Sequence, residues 1–233
     1  MSGVSTVSSE LSLASFRRTC GSCRTCRPFG NKPKRRSILI VCEGEQTEPL
    51  YFDALKERLP REVLKRVTIQ GTGVNTYKLI ECAEKVIAER EKNGHPPFYE
   101  VWLVFDKDSF PNAHFNETIE EAKRRERWYC AWSNEAFELW YVLHFRHVTT
   151  PISRMAYKTI LETEIRNNLG DSNYCYAKND RKMFERLLPY VASAIERARR
   201  GVERQEELHG ANWAAMNPAT RVHELVKRLL AYL

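Results

Sequence analysis

Apolar residues fall along this chain in short unbroken blocks that alternate with longer stretches of helical spacing. Ile38-Leu39-Ile40-Val41-Cys42 and Val101-Trp102-Leu103-Val104-Phe105 are the clearest blocks. Runs of this kind, bounded by polar residues, predict strands buried on both faces, as in a parallel sheet flanked by helices. A strand over 37–42 leads into a helix near 47–59, with Thr47 as N-cap, Pro49 in the first turn, and Leu50, Phe52, Leu55 and Leu59 among its apolar positions. A second strand, about 63–70, is followed by the turn Gly71-Thr72-Gly73 and a helix of about 75–92, where Ile80, Ala83 and Ile87 recur at helical spacing. Gly94-His95-Pro96-Pro97 stops that helix. A strand over 99–105, a loop over 106–112 and a charged helix near 114–127 come next. The strand Trp128 to Trp132 then enters Ser133-Asn134, read as the cap of a helix running to about Phe145. Four strands with crossovers of this length predict a parallel α/β sheet with right-handed connections.

Beyond about residue 150 helical patterns occupy 153–168, 180–200 and 217–232, with Asn217-Pro218 starting the last, and no strand is expected. The chain therefore divides into a leader (1–36), an α/β core (37–150) and a helical extension (151–233) packed on that core.

At 233 residues, 42% of them hydrophobic, the chain is long enough for one sizeable domain, and no apolar run is long enough to span a membrane. The N-terminus lacks the apolar segment of a secretory signal, so a cytoplasmic protein is expected. The net charge of +7 changes meaning once divided. Residues 1–36 hold eight basic residues, Arg35 and Arg36 among them, against one acid, and the remaining residues balance. Such an arm suits phosphate backbones or is simply solvated. The neutral body favours a structured RNA, or a substrate presented by a partner, over unaided tight binding of duplex DNA. Cys20, Cys23 and Cys26 form C-x-x-C-x-x-C in the same leader, one ligand short of a zinc or iron–sulfur site, and the preferred reading is reduced thiols.

Both apolar blocks end abruptly in acids. Glu43 follows the first, and Asp106-Lys107-Asp108 follows the second. In open α/β sheets ligands bind outside the carboxyl ends of the strands, so these carboxylates are expected to converge there. Gathered carboxylates repel one another unless a cation sits among them, and an all-oxygen set suits Mg²⁺ or Mn²⁺. Asp106 and Asp108 share a side if the chain stays extended, with Glu43 a further ligand or a general base. Glu48, in the first turn of the next helix, is a candidate for a second metal site. The same acids also have a structural reading as turn-forming, capping or dipole-favoured residues, and for Glu45 that is the preferred one. Lys107 could contact phosphate or pair with its acidic neighbours. Glu138 lies one turn inside its helix, four residues after Asn134, so both are expected to face the same sheet end. His144 and His147 are further candidates as general acids, and Lys178, Asn217 and His223 are lesser ones.

The segments ILIVCEGEQTEPLYF, VWLVFDKDSF, SNEAFELWYVLHF and NPATRVHELV together resemble the RloB-like family, bacterial and archaeal proteins encoded beside restriction and phage-defence genes. The resemblance covers most of residues 37–231. It implies a Toprim-like fold, the fold of topoisomerases, bacterial primases and overcoming-lysogenisation-defect nucleases. It also implies metal-binding roles for Glu43, Asp106 and Asp108, a second-site role for Glu48, and active-site positions for Asn134 and Glu138. The expected activity is Mg²⁺- or Mn²⁺-dependent cleavage of DNA or RNA, tRNA included, by the effector of an antiphage system with an ABC- or AAA-type ATPase partner. A homodimer is compatible with this. Nucleotidyl transfer of the primase kind needs the same ligands, and a noncatalytic sensor of a defence ATPase is the remaining alternative. No Walker motif is present, so the chain is not expected to be its own NTPase.

Overall fold

The computed structural model describes residues 36–73, 76–108 and 111–233. The leader with its cysteine triple and Arg35 lies outside the described residues.

β1 (Ile38–Cys42) is buried at every position and sits inside the sheet. α1 (Thr47–Glu57) and the single turn α2 (Arg61–Leu64) carry the chain to β2 (Val67–Gly71). The strand expected over 63–70 therefore starts late. Pro60, with extended backbone, opens a helical turn in which the Val63 N–H reaches the Pro60 carbonyl (2.7 Å), and pairing with β1 begins only at Val67. α3 (Leu79–Lys92) crosses to β3 (Glu100–Asp106), seven residues all buried, and α4 (Asn112–Lys123) leads to β4 (Trp128–Asn134).

β4 is longer than expected, and Ser133-Asn134 do not cap a helix. Ser133 pairs with Asp106 in the ladder, its carbonyl accepts the Lys107 N–H (2.8 Å), and its hydroxyl lies 2.9 Å from that of Thr220. Those bonds hold the segment as strand, and the helix α5 starts at Glu138 (Glu138–Val142).

The extension comprises α6 (Tyr157–Leu169), α7 (Met183–Leu187), α8 (Val191–His209), the short strand β5 (Ala219–Thr220) and α9 (Val222–Leu230). β5 was not expected. Two residues carry no periodicity to read, and Asn217-Pro218 leads into this strand rather than into the last helix.

The strand order is β2-β1-β3-β4-β5, with the first four parallel and β5 antiparallel to β4. Alternation along the strands divides the core in two. Ile38, Ile40, Cys42, Trp102 and Val104 face α1 and α5 to α9, whereas Leu39, Val41, Leu103, Phe105 and Trp132 face α3 and α4. Helices of the extension thus share a continuous core with the sheet.

Candidate metal centre at the carboxyl end of the sheet

The chain passes from β1 outward to β2, then returns across β1 to β3 on the other side. The order reverses between β1 and β3, and crevices at such reversals are the ligand sites of open α/β sheets. Glu43 and Asp106 stand at that reversal. The Glu43 N–H prolongs the ladder to the Val104 carbonyl (2.8 Å). Its carboxylate accepts the Asp106 N–H through Oε2 (3.1 Å) and the Thr76 hydroxyl through Oε1 (2.9 Å). Burial raises its pKa, the Asp108 charge adds to the rise, and these hydrogen bonds oppose it.

Asp106 is on the same strand face as Trp102 and Val104, so its side chain turns toward α1 and α5. Its Oδ1 is buried with no hydrogen-bond partner. Burial pushes its pKa well up, the negative charges of Glu48, Glu138 and Glu43 push further, and the Phe137 N–H works the other way. Glu48, buried in the first turn of α1, is raised to about 7 by burial, with Glu138 and Glu43 adding to the rise and Lys178 opposing it. Glu138 is buried at the start of α5 and accepts the Tyr176 hydroxyl at 2.9 Å. A cleft of about 390 Å³ opens over these groups, with Thr47, Glu48, Asp106, Glu138, Arg154 and Lys178 among its walls.

Gly44 keeps this arrangement possible, because a Cβ there would fall on the Glu48 carboxylate. Gly44→Ala is accordingly expected to push Glu48 out of the cleft and to weaken Mn²⁺ binding about tenfold with an unchanged circular dichroism spectrum. Unchanged affinity by calorimetry would show that Glu48 yields without leaving the site.

The structure brings Glu43, Glu48, Asp106 and Glu138 together and treats the other candidates differently. Asp108 does not continue the extended chain. Its backbone is left-handed (φ 42°), its N–H reaches the Glu135 carbonyl (3.1 Å), and its carboxylate lies 2.5 Å from Arg154 Nη1. Asn134 faces away from the cleft. One step along the strand from Ser133, it falls on the opposite sheet face and donates to the Ala214 carbonyl (3.0 Å), so it does not accompany Glu138. Lys107 is buried with its ammonium 3.4 Å from the Asp108 carbonyl, and Lys178 is exposed on the cleft wall. Arg36 precedes β1, at the opposite end of the parallel strands from the acids, and stacks on Tyr99. His144 is buried, with Nδ1 2.9 Å from the Trp140 carbonyl, and burial lowers its pKa to about 3. Burial likewise lowers His223 to about 4. His147 is exposed.

Three residues of the site escaped sequence reasoning: Thr76, Arg154 and Tyr176. The first precedes α3, and the other two come from the extension. No local motif marks them.

The donor set fits a hard divalent cation. It is all oxygen, it includes a buried carboxylate atom lacking a partner, and like charges raise one another's pKa. Among the described residues no three His, Cys, Asp or Glu side chains already converge on one point. Mg²⁺ does not require that, since it keeps several waters and is commonly held by one or two carboxylates.

Fold and site together define a mostly parallel α/β protein with an acidic crevice at its topological switch point. The family model for RloB-like protein matches residues 38–229, and the chain belongs to that family. No curated protein and no solved structure matches it significantly. Among the described residues, no helix is long and apolar enough to cross a membrane.

Proposed function

We propose that this chain is a Mg²⁺- or Mn²⁺-dependent nuclease acting on DNA or RNA. The observation that carries the reading is the crowding of Glu48, Asp106 and Glu138, with Glu43 beside them, at the β1/β3 switch point, where Asp106 is buried with an unpartnered oxygen. One or two of the carboxylates of Glu48, Asp106 and Glu138 would hold the ion beside several waters, with Glu43 and Asp108 as candidate further ligands. Bound there, the ion supplies charge neutralisation for a phosphodiester and a more acidic water. Tyr176 fixes the Glu138 carboxylate, and Glu43, pinned by Thr76 and the Asp106 N–H, orients the end of β3. Lys178 on the cleft wall attracts phosphate oxygens. A role as the effector of an antiphage system, with an ABC- or AAA-type ATPase partner, is supported by the family resemblance.

The test is cleavage of a mixed pool of DNA and cellular RNA by the purified protein, alone and with a neighbouring ATPase, in Mg²⁺, Mn²⁺ or chelator. Metal-dependent cleavage that falls about 10²-fold or more in Glu138→Gln is expected. Absence of cleavage under every combination would overturn the reading, whether or not Mn²⁺ binds.

A further inference from the structure

Arg154, in the short helical turn after Pro151, brings a cation into the cleft wall. Its Nη1 is buried and stands 2.5 Å from Asp108 Oδ2, and burial lowers the Arg154 pKa while the Asp108 charge and hydrogen bond both raise it. The contact is a short ion pair between two side chains that are each partly exposed. The rest of the guanidinium is partly exposed to the cleft that Asp106, Glu48 and Glu138 also line. The turn itself is anchored independently of the side chain, because the Arg154 N–H donates to Glu135 Oε2 (3.0 Å). On the other side of the pair, Asp108 is held on a left-handed residue, turned out of the extended line that would align it with Asp106.

The geometry points to a charge exchange: Arg154 holds Asp108 in the substrate-free cleft and transfers to a nonbridging phosphoryl oxygen when a phosphodiester enters, releasing the Asp108 carboxylate to the divalent cation. A guanidinium fork matches phosphate at least as well as carboxylate, and a hard cation competes with it for Asp108 oxygen. The phosphoryl half rests on the nuclease reading. The Asp108 half does not.

The experiment is calorimetric titration of Mn²⁺ into the metal-free full chain, without nucleic acid, for wild type, Arg154→Gln, Asp108→Asn and the double variant, each checked by thermal melting. Cleavage turnover is measured in parallel. Arg154→Gln is expected to bind Mn²⁺ roughly 5-fold more tightly or better. In the Asp108→Asn background the same change is expected to have no effect on affinity. Turnover of Arg154→Gln is expected to fall at least tenfold or so, with partial rescue by Arg154→Lys. Equal Mn²⁺ affinity with and without the guanidinium, or a gain that persists in the Asp108→Asn background, overturns the exchange. Wild type that binds Mn²⁺ but cleaves neither DNA nor RNA overturns the phosphoryl half together with the nuclease reading. The affinity comparison still decides the Asp108 half.

Discussion

Asp106→Asn is expected to lose about 10³-fold or more of metal-dependent cleavage while becoming more stable in chelator at pH 7.5. The two effects share a cause. Asp106 ends a fully buried strand, its Oδ1 has no hydrogen-bond partner, and Glu48, Glu138 and Glu43 all raise its pKa on top of the burial that raises it first. At neutral pH the folded protein must either carry a buried charge among like charges or keep a proton that the unfolded chain would release. Asn removes both options at nearly constant shape, so a gain on the order of 2 kcal/mol is expected. The gain should vanish near pH 3, where the carboxyl is largely protonated in both states. Chemical denaturation of both proteins at the two pH values, beside the cleavage assay, checks this. A variant that is less stable than wild type at pH 7.5 would mean that Asp106 is a structural acceptor, and retained cleavage would remove it from the site.

The second large effect concerns pH. Glu48 is raised from an ordinary 4.5 to about 7. A raised folded-state pKa means that its contribution to stability is full below pH 4.5 and is lost as pH climbs through 7. Each tenfold change in proton affinity between the folded and unfolded chain is worth about 1.4 kcal/mol, so the loss is on the order of 3 kcal/mol by pH 8. His144 and His223, lowered to about 3 and 4 by burial, act with the opposite sign below about pH 6.5, so the slope of wild type alone mixes the two. The informative quantity is the difference between Glu48→Gln and wild type in chelator. It should be near zero at pH 4.5 and widen to its full value by pH 8. Under the proposed metal-dependent reading, Mn²⁺ at pH 8 should restore wild type and leave Glu48→Gln little changed, because an ion held by the ionised carboxylates would stabilise only the folded state. A gap that stays flat across this range would mean that Glu48 is solvated and ionised throughout.

Much of this site was legible along the chain because its central parts are local to strand ends. Ile38 to Cys42 and Val101 to Phe105 can only be buried strands, and an acid after each is then carried to one edge of a parallel sheet by topology alone. Glu48 followed from its place in the first turn of the next helix, whereas Glu138 was expected from a helical phase shared with Asn134 that the structure does not show, the helix starting at Glu138 itself. The strand boundaries were less legible. Asn134 looked like a cap because its residue type favours one, but the ladder to Asp106 and the bond between Ser133 and Thr220 kept it in the strand and turned it to the other face. Capping preference is worth about 1 kcal/mol, and several ladder and side-chain bonds outweigh it.

The alternation of apolar blocks and helical periods thus determined the α/β class and placed Glu43 and Asp106 at one end of the sheet, while the family resemblance added Glu48 and Glu138. Tertiary structure alone decided that Asp108 turns to Arg154, that Tyr176 holds Glu138, that Thr76 holds Glu43, and that β5 closes the sheet edge beside β4. The physical reason is one of range. Strand burial and helical spacing are properties of a few consecutive residues, whereas Glu138 meets Tyr176 across 38 positions and Ser133 meets Thr220 across 87, through packing that no local pattern encodes.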